Sequence, residues 1–360
     1  MRRRSDLWVP DSSCVQTFPS ICTTGVNVFN RNASSTLQQV NSQVLNISYG
    51  DGSGVQGAAF TETVAIGTAV IQNQFFSPVT SFNTGSLGSS GLLNGRDGLL
   101  GLAFETISQL NQRTPSVNAF LQGQIQQPLF GVRLGDPDQT SELFLGGINN
   151  ALLTGSIESY EVINPAFWLL GAFQTLSAKP FGNCTTAAID TGTTLIVAPI
   201  DEAILLYSQI PGATTQPDQS GAFYVPCDTI ETVQFGLKFA YTLQGLISNG
   251  ADPTNSQTFG RNWGVAGKYF NFGMTSPGSN MCVGAVIGSA AFQGQWIVGD
   301  AFIQNNYNIY NFANVTVSFA DTETGDPFAG SGTTTPPAST AIPTAPSASV
   351  STSATATTSP

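Results

Sequence analysis

The chain has 360 residues, 41% of them hydrophobic, which is enough to bury a sizeable core and to fill two units of ordinary domain size. Its 22 acidic and 11 basic residues give a net charge of −11, which argues against nucleic acid or an anionic membrane surface as partner. The absence of histidine excludes Ser-His-Asp and Cys-His nucleophile systems and His-ligated zinc hydrolases together, so any hydrolytic chemistry has to rest on carboxylates.

In chain order, Cys14 and Cys22 come first, eight residues apart in a polar, proline-containing loop. Val44 to Tyr49 and Glu62 to Ile66 read as strands, since β-branched and aromatic residues are punctuated there by Gly, Asn and Asp. Leu99-Leu100-Gly101 reads as a buried strand ending at a glycine that lets another backbone approach closely. Ile107 to Leu110 and Val117 to Gln124 are expected to be short helices, and Glu142 to Leu145 a strand.

Asp190-Thr191-Gly192-Thr193-Thr194 is the most informative stretch. Ala187-Ala188-Ile189 precedes it and Leu195-Ile196-Val197 follows it, so it reads as strand, tight turn and strand, with two hydroxyls beside an acid. A carboxylate set between apolar strands must be paired, hydrogen-bonded or neutralised. The five residues by themselves fit equally well a turn whose Asp accepts hydrogen bonds from its own backbone.

Further on, Ile200 to Gln209 is expected to be helical, and Gly221 to Val225 and Val315 to Phe319 to be strands. Cys227 and Cys282 lie 55 residues apart. Five cysteines without a Cys-x-x-Cys pattern are most simply two disulfides and one leftover thiol, Cys184. Asn-x-Ser/Thr sequons at Asn32, Asn46, Asn183 and Asn314 agree with an oxidising secretory route. Of the last 30 residues 16 are Ser or Thr and five are Pro, so that segment cannot bury a core and is expected to be a disordered, O-glycosylated stalk.

A weak internal repeat organises what precedes the stalk. Ile297-Val298-Gly299 repeats the apolar-apolar-Gly pattern of Leu99-Leu100-Gly101 about 200 residues later, and its glycine lies 109 residues after Asp190. A similar distance back from Gly101 reaches the first residues, Met1-Arg2-Arg3-Arg4-Ser5-Asp6-Leu7-Trp8-Val9. Here the chain resembles the pepsin-like aspartic proteases, most closely the secreted fungal members. Ser5 to Val9 match the second half of that family's first catalytic motif, and Asp190-Thr191-Gly192-Thr193 looks like the second. Tyr49-Gly50-Asp51-Gly52-Ser53 resembles the tip of the flap hairpin that covers bound peptide.

The resemblance spans residues 5 to 321 and implies an all-β, bilobal fold around a cleft. The N-terminal lobe would run over residues 1–159, the C-terminal lobe over 160–321 and the tail over 322–360. It implies an aspartic endopeptidase acting at acidic pH on peptide and protein substrates, secreted and monomeric, with a wall-bound or vacuolar address as alternatives. No metal, cofactor, nucleic acid or membrane span is expected. By resemblance Asp190 is catalytic and Thr193 bonds its outer oxygen. Tyr49, Gly50, Asp51, Gly192, Thr194 and Phe167 contact substrate, Trp8 bonds the flap tyrosine, and Thr191 helps join the lobes. The disulfides would be Cys14–Cys22 and Cys227–Cys282. Phe167-Trp168 resembles an aromatic pair near the cleft, although aromatic core packing explains it as well. Asp300 is read as structural.

The departure is at the start. Met1 to Arg4 occupy the register of Asp-Thr-Gly-Ser, so the first catalytic aspartate is absent, and there is no apolar signal segment. The expectation is a truncated reading frame or an incomplete gene model of a secreted protease, inactive as written. A non-catalytic peptide- or protein-binding relative is the alternative, and a dimer pairing two copies of Asp190 a remote third.

Overall fold

A computed structural model of the chain describes residues 5–322 apart from 23–24, 51, 86–92, 94, 250 and 293. Met1 to Arg4 and the expected stalk lie outside the described residues, as does Asp51. Strands dominate, and they assemble into four sheets.

The first sheet carries the hairpin formed by Gln38–Ser48 and Ser53–Ile66. Leu45 and Ile47 are buried while Val44 is exposed, the two-residue alternation of a strand with one face on a core. Ala69–Val79 pairs with the second arm of the hairpin and, in parallel, with Leu7–Pro10. Leu7–Pro10 is therefore held between Ala69–Val79 and the short strand Leu99–Leu100.

The second sheet has seven strands, among them Leu169–Leu176, Lys179–Ile189, Gln295–Val298, Ile196–Pro199 and Val286–Ser289. A three-stranded sheet joins Tyr224–Pro226, Met281–Gly284 and Asn271–Met274. The remaining sheet has five strands: Leu129–Arg133, Glu142–Leu145 and Thr154–Glu161 come from the first half of the chain, Asn306–Asn311 and Thr316–Asp321 from its end. It thus joins strands from the two halves of the chain, and Phe130 stacks on Tyr310 across it at 4.7 Å.

Two large apolar cores result. One is drawn from residues between Trp8 and Leu110. The other is rich in aromatic residues, including Trp168, Tyr207, Phe235, Trp263, Trp296 and Phe319. Each such ring contributes about 2 to 3 kcal/mol when fully removed from water. Cys14 is bonded to Cys22 and Cys227 to Cys282, with Cα separations of 5.9 and 5.0 Å. Cys184 is a half-buried free thiol whose pKa burial pushes up.

Among the expected elements, Glu142–Leu145 stands as read. The two later helices run over Pro115–Leu121 and Ile200–Tyr207. Two expectations need correction. Ile107 to Leu110 is not a helix; a single 3-10 turn covers Glu105–Ile107. The buried carboxylate of Asp6 takes the donors that a helix would need, accepting bonds from Ser108 Oγ at 2.6 Å, Gln109 N at 2.8 Å and Leu110 N at 3.2 Å. Gly221 to Phe223 do not belong to a strand, which covers only Tyr224–Pro226. Asp218 accepts bonds from the backbone N–H groups of Ser220 and Ala222 and turns the chain there.

Candidate active site

The loop Asp190–Thr194 is built by threading one strand between two others. Lys179–Ile189 runs parallel to Gln295–Val298, the chain turns, and Ile196–Pro199 returns antiparallel to the same strand. Gly299, following Gln295–Val298, then passes directly under the loop. A Cβ on Gly299 would lie 2.0 Å from the carbonyl oxygen of Thr193 and 2.3 Å from that of Leu195, so only glycine fits. Beyond it Asp300 N donates to Thr193 O at 2.8 Å and Ala301 N to Thr194 O at 3.0 Å.

These contacts fix the Asp190 carboxylate. Its backbone N–H donates to Val298 O at 2.9 Å. Oδ1 accepts from Gly192 N at 3.0 Å and Oδ2 from Thr193 Oγ1 at 2.7 Å. The partial burial of Asp190 is thus matched by donors on both oxygens, which favours a carboxylate of fixed orientation.

A similar crossing occurs at the start of the described chain. Gly101 N donates to Asp6 O at 3.1 Å, and a Cβ on Gly101 would lie 2.4 Å from Ser5 C. Ser5 Oγ donates to Phe104 O at 2.6 Å. Asp6 itself faces Ser108 to Leu110 rather than Asp190, through the bonds given above.

Tyr49 begins the tight turn of the hairpin. Its N–H donates to Ser53 O at 2.7 Å, and Gly52 N donates back to Tyr49 O at 3.2 Å with Gly52 at φ +82°. That φ lies in the left-handed region, which glycine tolerates without strain. The phenol of Tyr49 accepts a 2.7 Å hydrogen bond from Trp8 Nε1.

Two neighbouring cavities meet at this point. One, of about 520 Å³, is lined by Trp8, Tyr49, Gly50, Gly192, Thr193 and Phe292 among others. The second, of about 360 Å³, is lined by Asp190, Thr191, Gly192, Thr194, Trp168 and Asp300 among others. Arg96, Gly98, Leu99 and Gly192 border both. The structure therefore brings together Tyr49, Gly50, Asp190, Thr191, Gly192, Thr193, Thr194 and Trp8. Phe167 lines neither cavity; its neighbour Trp168 does, donating from Nε1 to Leu102 O at 3.0 Å.

The other carboxylate on these two cavities among the described residues is Asp300, read from the sequence as structural. Its carboxylate lines the smaller cavity, and its Oδ1 is buried without a hydrogen-bond partner among the described residues. Burial pushes its pKa up to about 7, the negative charge of Asp190 adds to this, and Arg96 opposes it. The hydroxyl of Tyr310, on the same cavity, is likewise buried without a partner, and burial with the two nearby carboxylates holds its pKa well above the usual phenol value. The sequence signal for Asp300 was its place directly after Gly299, the glycine under the loop.

Among the described residues no cluster of His, Cys, Asp and Glu is arranged to hold a metal ion, and no helix is long and apolar enough to cross a membrane.

The family profile described as eukaryotic aspartyl protease matches residues 4–322. An aspartic protease of Phaffia rhodozyma is 33% identical over 325 residues, which cover 88% of this chain and 71% of that protein. Major aspartyl peptidase 1 of Cryptococcus neoformans is 29% identical, with 88% of this chain and 64% of that protein covered. Rhizopuspepsin-4 of Rhizopus niveus is 29% identical, with coverages of 85% and 69%. The chain belongs to the eukaryotic aspartyl protease family, whose members are hydrolases of peptide bonds.

Proposed function

We propose that Asp190 is a catalytic carboxylate of an acid endopeptidase and that an extended peptide lies across the cleft under the Tyr49 hairpin. The observation that carries this reading is the fixed carboxylate of Asp190, held by Gly192 N and Thr193 Oγ1 on the wall of a cavity adjoining the one Tyr49 lines. Gly50, Gly192, Thr193 and Thr194 would contact the peptide backbone, with Trp8 and Thr191 supporting them. An extended peptide gains main-chain hydrogen bonds there, and alternate side chains find pockets.

The reaction needs two carboxylates that share one proton, for which aspartic proteases are the type case. The ionised member takes a proton from a bound water, which attacks the peptide carbonyl. The protonated member donates to the oxygen on which negative charge develops. The partner of Asp190 in this scheme belongs to the register of Met1 to Arg4, outside the described residues. That register reads Met-Arg-Arg-Arg and favours one second reading, a relative that binds peptide without cleaving it.

We read residues 1–159 and 160–321 as two lobes and 322–360 as a tail, with the boundary inside the strand Thr154–Glu161. Two disulfides support a secreted, oxidising location, and we take the protein to be monomeric.

The test is proteolysis of an acid-denatured protein between about pH 3 and 4, by a chain in which Asp-Thr-Gly-Ser stands in the register of residues 1–4 and by the same chain carrying Asp190→Asn. Cleavage abolished by the substitution supports the protease reading. Cleavage at an unchanged rate refutes the assignment of Asp190. No cleavage, with binding of a peptide bearing a tetrahedral hydroxyl, favours the second reading.

A further inference from the structure

Arg96 is an exposed cation at the junction of the two cavities in a chain with only 11 basic residues. Its backbone N–H donates to Leu93 O at 2.8 Å, which fixes the segment leading into the strand Leu99–Leu100. The ion pairs among the described residues engage Arg31, Arg113, Arg261 and Lys268, and none engages Arg96. Asp97 beside it is already held by the backbone N–H and the Nδ2 of Asn27, at 2.7 and 2.8 Å.

The two cavities differ in what they offer this guanidinium. The smaller holds Asp190 and Asp300, together with the Tyr310 phenol. Asp300 titrates near 7, so in the acidic range it is uncharged and does not neutralise Arg96. In the larger cavity Arg96 is the one charged residue among those described, and Trp8, Tyr49, Leu99 and Phe292 supply ring and aliphatic walls. A guanidinium binds a carboxylate through two parallel hydrogen bonds, a geometry that a neutral amide does not match in strength.

The geometry points to a subsite at Arg96, in the cavity that Trp8, Tyr49 and Leu99 also line, that selects a glutamyl or aspartyl side chain of the bound peptide. This inference rests on the peptide-cleft reading above. It makes Arg96 a specificity-determining residue in a pocket whose other described lining residues are uncharged. The competing role, a counter-ion that only tunes Asp190 and Asp300, would leave peptide preference untouched.

The experiment uses the full chain and peptides in which a hydroxyethylene unit replaces one peptide bond, so that binding is read without cleavage. A single Glu or Gln is walked through the peptide, and affinities are measured by calorimetry at pH 5.5 and pH 3. Taking the ratio of Glu to Gln peptide on one protein cancels any titration of Asp190, Asp300 or the phenols. We expect one position at which Glu binds about tenfold tighter than Gln at pH 5.5. That ratio should collapse toward unity at pH 3, below the glutamate pKa of about 4.3.

Arg96→Gln should abolish the preference at pH 5.5, and Arg96→Lys should retain part of it. Melting temperatures of both variants serve as the check on folding. A ratio near unity at every position, or a preference that survives in Arg96→Gln, overturns the proposal. If no peptide binds the parent chain, the cleft reading itself fails and takes this inference with it.

Discussion

The indole Nε1 of Trp8 donates a 2.7 Å hydrogen bond to the phenol oxygen of Tyr49, linking the buried strand Leu7–Pro10 to the tip of the hairpin over the cleft. Trp8 is 1% exposed and packs edge-on against Phe82 at 6.4 Å, so the donor comes from a fixed part of the core. Replacing Trp8 by Phe keeps most of the packing and removes the donor. We expect a loss of about 1 kcal/mol in stability and weaker binding of a hydroxyl-bearing peptide. Chemical denaturation and calorimetry on the same samples check both, and unchanged peptide affinity would show that the bond does not set the hairpin's position.

Gly299→Ala tests the threading beneath the Asp190 loop. The added carbon would sit 2.0 Å from Thr193 O, a contact that backbone must move to relieve. Overpacking of this kind costs about 1 to 3 kcal/mol, occasionally more, and the carbonyl displaced belongs to the residue whose hydroxyl holds Asp190. The expected result is a lowered denaturation midpoint together with lost peptide binding. A variant as stable as the parent would contradict the close approach of these two segments.

Asp300→Asn probes the pH dependence of stability. The folded pKa of about 7 lies above the ordinary 3.8. Folding therefore takes up a proton between those values, and the associated stability is full below about pH 4 and lost as pH rises through 7. The loss is of the order of a few kcal/mol. Asparagine is neutral throughout, so the variant's melting temperature relative to the parent should rise from about pH 4 to about pH 7 and level off above that. A difference that stays constant with pH would refute the raised pKa.

The network around Tyr160 offers a stability test remote from the cleft. Trp263 Nε1 donates to Tyr160 Oη at 2.7 Å, and Tyr160 in turn donates to the buried Glu158 at 2.7 Å. Arg261 covers the Trp263 ring at 3.7 Å and pairs with Glu158 and Asp321. Tyr160→Phe would strip a donor from a buried carboxylate and an acceptor from a buried indole. The expected cost is about 1 to 3 kcal/mol, read as a shift in the denaturant midpoint at unchanged slope. A shift within error of zero would mean that the two partners find other bonds.

Much of the site could be read along the sequence because its parts are local. A carboxylate followed by Thr-Gly-Thr between apolar triplets specifies strand, turn and strand, and Gly192 N and Thr193 Oγ1 do return to Asp190. The two apolar-apolar-Gly segments likewise announced Gly101 and Gly299, each pressed against a distant backbone. What escaped the sequence depends on partners far along the chain. Asp6 reaches Ser108 to Leu110 and withdraws from them the hydrogen bonds of the expected helix. Gly221 meets Gly288, whose N–H donates to its carbonyl at 2.8 Å, and this favours a turn over a strand. Asp300 is less legible: its place directly after Gly299 puts it near the loop, but only the fold brings it onto the same cavity as Asp190.

The central claim is that Asp190 is the carboxylate that the bound peptide meets. Titration of the chain and of Asp190→Asn with a peptide carrying a tetrahedral hydroxyl, by calorimetry at about pH 4, tests it. The parent should bind, and the variant, folded by the same melting criterion, should bind at least about 30-fold more weakly. Equal affinity of the two proteins for that peptide would contradict it.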